Sequence, residues 1–217
     1  MHLLLTDVLT CPRCGPDVGL ILRADTMSER RVREGALGCP GCRTDYPITG
    51  SVARFGDRGP VAREKPSFDP EAATRIAALL GAGTPGGFVL IVGAAARAAG
   101  TIASMDIETE IVAASADAAD LAVAEGVSCM TIGTALPFCS GRLRGVWLSG
   151  DAADAMLEEG ARSTHALGRL VLEPATENAE ERLAAAGLRI AARQGRTVLA
   201  VRPAGAQIAS SQRSSLS

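Results

Sequence analysis

Gly87-Phe88-Val89-Leu90-Ile91-Val92-Gly93-Ala94-Ala95-Ala96-Arg97 is the stretch that decides the fold of this chain. Its apolar run from Phe88 to Val92 is too short for a helix and has no polar alternation, which is typical of a strand buried on both faces of a parallel sheet. Gly93 predicts a turn, and the alanines after it predict the first turns of a helix. A strand, a glycine turn and a helix N-terminus together can receive an anionic, nucleotide-like ligand.

Length and composition limit the classes of protein that this chain can belong to. Its 217 residues, 47% of them hydrophobic, allow one large or two small domains with a substantial core. The net charge of −2 gives no global basic field for nucleic acid, so RNA is a possible but unsupported partner. Two local basic clusters are interpreted as solvated surface charge; they are Arg30, Arg31 and Arg33, and Arg142 and Arg144.

Targeting signals are not evident in the sequence. It contains no apolar run of about 18 residues, so no membrane span is expected. The first residues carry neither a basic segment nor a cleavage site, so no signal peptide is expected. The cysteine pattern does not resemble a secretory disulfide framework, and a cytoplasmic location is predicted.

Four of the six cysteines form two CxxC pairs, Cys11 with Cys14 and Cys39 with Cys42. Each pair places two thiolates on one side of a metal, and together they provide the tetrahedral S4 coordination of structural zinc. The same four sulfurs could hold iron, and a redox dithiol is a further alternative, although it would not need two pairs. A segment this small has too little core to fold alone, so zinc is expected to supply folding free energy.

The residues around the two pairs extend this pattern. Leu4, Leu5 and Leu9 precede the first pair, and Tyr46-Pro47-Ile48 follows the second. This arrangement resembles a zinc-ribbon family that includes the activator subunit of tRNA, rRNA and release-factor methyltransferases. The resemblance covers about a quarter of the chain. It implies that the ribbon contacts a methyltransferase partner and performs no chemistry itself.

The remainder of the chain predicts an α/β domain. Residues 1–56 are interpreted as the ribbon, 57–68 as a linker, 69–203 as a Rossmann-like domain and 204–217 as a disordered tail. Asp69-Pro70-Glu71 predicts a helix start. Strands are expected over 88–92, 110–114, 127–132, 143–148, 169–172, 188–193 and 197–202, with helices that include 117–125, 151–160 and 177–186. The alternation predicts a mostly parallel sheet that ends in an antiparallel hairpin.

This order of elements resembles the fold of class I S-adenosylmethionine-dependent methyltransferases, with a seven-stranded sheet. Three stretches carry the resemblance: Val89 to Gly93, Ala135-Leu136-Pro137-Phe138, and Leu167-Gly168-Arg169-Leu170-Val171-Leu172-Glu173. In that family an acid in the first strand, a glycine-rich turn and a carboxylate at the end of the second strand hold the cofactor.

The residues that the resemblance places at the cofactor site are degenerate. Ile91 stands at the position of the first acid, Ala95 and Arg97 replace two of the three glycines around Gly93, and the second strand ends in Ala113-Ala114. Several charge-assisted hydrogen bonds are therefore expected to be lost together. A divergent but working site is the alternative, with Asp151, Asp154 and Glu173 as the residues that could rescue it.

The sequence therefore favours a two-domain pseudoenzyme that binds structural zinc, does not bind S-adenosylmethionine and acts through a protein partner. That partner would be a methyltransferase or a component of RNA or translation machinery. The alternative is an active methyltransferase with a divergent cofactor site. His165 is interpreted as a surface residue, and Cys129, Cys139 and Trp147 as core residues; no catalytic residue is assigned.

Overall fold

Phe88–Val92 forms the central strand of the structure, as its apolar run predicts, and Val89 to Val92 are buried. The computed structural model describes residues 1–56, 68–105 and 108–205. The predicted linker therefore lies outside the described residues except for Phe68, and so does the predicted tail beyond Gly205.

Within the described part of the chain, eleven strands form one sheet. They are β1 (Ile21–Ser28), β2 (Arg31–Gly38), β3 (Asp45–Thr49), β4 (Val52–Arg54), β5 (Phe88–Val92), β6 (Glu110–Ser115), β7 (Val127–Thr131), β8 (Leu143–Ser149), β9 (Thr164–Glu173), β10 (Arg189–Gln194) and β11 (Thr197–Val201). The helices are α1 (Pro70–Leu80), α2 (Ala99–Ala103), α3 (Ala152–Ala155), α4 (Leu157–Ser163) and α5 (Ala179–Ala185). Three segments are 3-10 helices: Leu3–Val8, Gly93–Ala98 and Ala118–Asp120.

The order of strands in the sheet is β1-β2-β3-β4-β7-β6-β5-β8-β9-β11-β10. The pairs from β4 to β9 are parallel, whereas the β1–β4 ladder and the pairs of β11 with β9 and β10 are antiparallel. The closing antiparallel hairpin is therefore confirmed. The seven-stranded sheet preceded by a separate ribbon is not found, because the four ribbon strands extend the same sheet.

The junction between the ribbon and the parallel strands is β4. Val52, Ala53 and Arg54 pair in parallel with β7, and the Phe55 amide donates to the Thr131 carbonyl at 2.9 Å. A Cβ on Gly56 would lie 2.3 Å from the Ile132 carbonyl oxygen, so only glycine fits this close approach. Three residues of strand are thus enough to make one continuous sheet from the two segments.

Side chains from both segments also share one core. Leu5 and Leu9 of the ribbon are buried in the same apolar cluster as Phe138, and Leu9 forms an isolated bridge with Phe138. Arg31 of β2 forms a bidentate contact with Glu110 of β6, at 3.0 and 2.9 Å. Residues 1–56 and the α/β segment therefore contribute side chains to one apolar core.

Several element boundaries differ from the sequence prediction. The helix expected over 117–125 is only the short 3-10 turn Ala118–Asp120, and a 3-10 turn also replaces the first helical residues after Gly93. Burial of Leu121 and the anchoring of the Asp120 carboxylate override the helix propensity of this alanine-rich segment. Strand β9 begins at Thr164 rather than at Arg169.

The start of α1 follows the sequence prediction. The Asp69 carboxylate accepts from the amides of Glu71 and Ala72, and Pro70 occupies the first helical position. Gly81 ends the helix in the left-handed conformation. No helix among the described residues is both long and apolar enough to span a bilayer.

We expect the two segments to unfold together. Phe138→Ala removes a fully buried ring from the shared core and should lower the free energy of unfolding by about 3–5 kcal/mol. Val123→Ala, at an exposed position, should change it by less than about 0.5 kcal/mol. Urea unfolding followed by Trp147 fluorescence and by far-UV circular dichroism should give coincident transitions; two separated transitions would contradict the shared core.

Candidate functional site

The four cysteines of the two CxxC pairs converge on one point. All four sulfur atoms lie within 4.8 Å of one another, with Cys11–Cys42 at 3.6 Å and Cys14–Cys39 at 3.7 Å. Tetrahedral zinc with Zn–S bonds of about 2.3 Å requires sulfur separations of about 3.8 Å. The cluster therefore fits a tetrahedral divalent ion, and four protein ligands would leave no position open for substrate.

The electrostatics of the cluster also favour a cation. Hydrogen bonding to Thr44 lowers the pKa of Cys42 to about 6, whereas hydrogen bonding to Cys42 and Cys39 raises the pKa of Cys14 to about 12. The Tyr46 hydroxyl lies 3.2 Å from the Cys11 sulfur. Without a cation, one thiolate suppresses ionisation of its neighbours. A bound zinc ion would remove that repulsion and stabilise the fold.

The second candidate site is the turn after β5, where the class I fold places its cofactor. Ser149, at the end of β8, donates to the Val92 carbonyl at 2.6 Å and accepts from the Ala95 amide at 2.9 Å. Gly93 has a φ of 82°, and a Cβ there would lie 2.6 Å from the Ser149 carbonyl oxygen. The retained glycine is therefore required by contact with β8. The Ala95 amide, which could otherwise meet a ligand, is already satisfied.

Arg97 crosses from this turn to the end of β6. Its guanidinium contacts the Asp120 carboxylate at 2.8 Å, and the Ser115 hydroxyl donates to the same carboxylate at 2.9 Å. Asp120 is a carboxylate near the end of the second parallel strand that the sequence analysis did not identify. Asp117 accepts a hydrogen bond from the Ala119 amide, as a helix cap does, and the sequence therefore predicted a helix that included Asp120.

Most of the other residues predicted at the cofactor site are buried or already paired with other side chains. Ile91, Ala113 and Ala114 are buried in the apolar core. Glu173 accepts two hydrogen bonds from Arg75 and one from Thr197.

Asp154 pairs with Arg182, while Asp151 is exposed at the start of α3. Two of the three acids that could support a divergent cofactor site are thus engaged in ion pairs.

The remaining predictions assign three residues to the core and one to the surface. Burial raises the pKa of Cys129 to about 12, which keeps this thiol protonated and unreactive. Cys139 is only partly buried, and Trp147 is fully buried below the Arg75 guanidinium. His165 is exposed, as predicted, but lies in β9 rather than in a loop.

Comparisons with known proteins come from structure alone, since no family model and no curated sequence matches the chain. The structure resembles the (4+2)-cyclase SpnF with a TM-score of 0.52 and 14% identity over 70% of this chain and 86% of SpnF. It also resembles the antibiotic-resistance methyltransferase Kmr, with a TM-score of 0.46 and 13% identity over 67% of this chain and 98% of that one. An O-methyltransferase from Thermotoga maritima gives a TM-score of 0.48 and 12% identity over 65% of this chain and 68% of that one.

The likeness to SpnF shows the fold alone. The chain has an α/β fold with a mixed sheet. Since SpnF, whose TM-score is above 0.5, is described as a cyclase, the fold by itself does not fix methyl transfer as the activity.

We expect purified protein to contain one zinc ion per chain. Cys39→Ser should remove it, because three thiolates bind zinc far more weakly, and should lower the stability of the whole sheet. Cys139→Ser, outside the cluster, is the matched control and should retain the metal. Elemental analysis of freshly purified proteins measures this, and less than half an equivalent in the unmodified protein would contradict it.

We expect Asp120 to stabilise the turn after β5. Asp120→Ala removes two hydrogen bonds from a nearly buried carboxylate and should lower the free energy of unfolding by about 1.5–3 kcal/mol. Arg97→Ala should lower it by less than about 1 kcal/mol, because this side chain is half exposed. Chemical denaturation checks both, with exposed Glu125→Ala as the control; equal effects of Asp120→Ala and the control would contradict this role.

Proposed function

We propose that this chain is a zinc-binding protein with a methyltransferase-like fold that does not use S-adenosylmethionine and acts by binding a protein partner. The observation that carries the proposal is the closure of the turn after β5 by Ser149. Its hydroxyl satisfies the Ala95 amide and the Val92 carbonyl, which flank the turn where the resemblance to class I methyltransferases places the cofactor.

A second observation supports the same proposal. Arg97 occupies the Asp120 carboxylate, so the acceptor nearest to the position of the ribose hydroxyls is already neutralised. Ile91 and Ala95 add apolar atoms where the resemblance places an acid and a glycine. Steric exclusion and the loss of hydrogen bonds would both weaken the binding of S-adenosylmethionine.

The partner surface that we favour lies on the ribbon. Leu4 is 46% exposed, and the outer edge strand β1 carries Ile21 and Met27 at 64% and 51% exposure. An unpaired edge strand with exposed apolar side chains can accept a strand from another chain. By resemblance to the activator ribbons, that chain would be a methyltransferase.

An active methyltransferase is the second candidate. Asp120 supports it, because movement of Arg97 would free a carboxylate close to the end of β6. Under this alternative the Arg97–Asp120 pair is a removable contact that cofactor binding displaces.

Titration with S-adenosylmethionine tests the two candidates. We expect no heat of binding for the unmodified protein up to about 1 mM ligand, a threshold of about −4 kcal/mol. Arg97→Ala should behave in the same way, because Ile91, Ala95 and Ser149 still close the site; Arg189→Ala, at an exposed position on β10, controls for loss of charge. A micromolar dissociation constant for the unmodified protein would overturn the proposal, and binding only by Arg97→Ala would favour the second candidate.

A further inference from the structure

A cavity of about 510 Å³ opens at the amino ends of β5, β8 and β9, on the sheet edge opposite the Gly93 turn. Its charged lining is basic: Arg142, Arg144 and Arg169 contribute guanidinium groups, and His165 contributes an imidazole. The lining that the structure describes contains no carboxylate. This basic cavity belongs to a chain whose net charge is −2.

Neutral groups hold two of the arginines in place. Arg144 Nη1 donates to the carbonyls of Thr84, Pro85 and Gly86 at 2.7–3.0 Å. Arg169 Nη1 donates to the carbonyls of Ala78 and Leu79, at 3.0 and 3.1 Å, in the last turn of α1.

Only Nη1 is used in these contacts, and each guanidinium carries further N–H donors on Nε and Nη2. Among the described residues, none of the three arginines of the cavity forms an ion pair with a carboxylate. The charges of Arg144 and Arg169 are therefore held in place without being neutralised by a carboxylate.

The backbone around the cavity is shaped to permit this arrangement. A Cβ on Gly87 would lie 2.6 Å from Arg144 Cδ, and one on Gly168 would lie 2.7 Å from the His165 carbonyl oxygen. Leu167, which also lines the cavity, has a φ of 65° and is 69% exposed, which is unfavourable for a leucine on both counts. A strained residue at the rim of a cavity is a feature of ligand sites.

We propose that this cavity binds a small phosphate ester. Guanidinium groups bind phosphate oxygens through paired, charge-assisted hydrogen bonds, and three of them line one cavity here. Its volume falls within the range of roughly 300–1,000 Å³ that is typical of small-molecule sites. A phosphate group alone would fill a small part of it, and Leu80 and Leu167 border the space for an organic portion.

Arg142 separates this proposal from a purely structural role of the basic cluster. Arg144 and Arg169 stabilise the loop and the end of α1, so their removal affects folding whether or not a ligand binds. Arg142 is exposed, and the hydrogen bond it makes, from its amide to the Ser163 carbonyl, involves only the backbone. Its side chain can therefore be removed with little effect on stability.

Isothermal titration with adenosine monophosphate, adenosine and inorganic phosphate tests the proposal on the full chain. We expect adenosine monophosphate to bind more tightly than inorganic phosphate and adenosine not to bind. Arg142→Ala should weaken binding of the monophosphate about tenfold, the effect of one charge-assisted hydrogen bond. Arg23→Ala removes an exposed arginine of β1, at the opposite end of the strand order from β9, and should leave the affinity unchanged.

The melting temperature of each variant accompanies the titrations, so that loss of folding is not mistaken for loss of binding. Absence of binding at millimolar ligand would overturn the proposal, as would an affinity that Arg142→Ala leaves unchanged. Equal affinities for inorganic phosphate and the monophosphate would overturn the ester assignment. The cavity and the Gly93 turn lie at opposite edges of the sheet, so these outcomes are independent of the cofactor titration.

Discussion

The parallel pairing of β4 with β7 is the constraint on which the architecture depends. It joins an antiparallel ribbon to a parallel sheet, and Leu9 of the ribbon also forms a bridge with Phe138. Through it, the folding free energy that a metal would supply at the four cysteines would act on the whole sheet rather than on a small appendage. The ribbon also covers β7, whose residues are all buried, so the sheet ends in β1 and β10 with mostly exposed side chains.

The two edges of the parallel sheet differ in chemistry. At the carboxyl ends, Ser149 satisfies the Val92 carbonyl and the Ala95 amide, and Arg97 pairs with Asp120, so few polar groups remain free for a ligand. At the amino ends, the guanidinium groups of Arg144 and Arg169 are held by neutral carbonyls and remain uncompensated. Most α/β sheets bind ligands at the carboxyl ends of their strands, and here the polar groups at those ends are hydrogen-bonded within the protein. The arginines at the amino ends are not paired with a carboxylate among the described residues.

Local signals predicted the parts of the molecule that depend on local interactions. Phe88–Val92, the cap at Asp69 and the two CxxC turns all follow from short-range rules. The β4–β7 pairing could not be predicted, because Val52–Arg54 is too short to carry a pattern. The role of Ser149 depends on β8 lying beside β5, so it becomes visible only once the strand order is known. Asp120 was missed because a helix was expected where tertiary contacts favour a turn.

The contact between the ribbon and Phe138 has a consequence for biosynthesis. The ribbon is complete by residue 56, but roughly 80 further residues must be made before Phe138 can cover Leu5 and Leu9. At about 5–20 residues per second this interval lasts roughly 4–16 seconds. During that time the nascent ribbon exposes an apolar face and the unpaired edge of β4. Early zinc capture by the four cysteines would hold the ribbon in shape until its covering strands emerge from the ribosome.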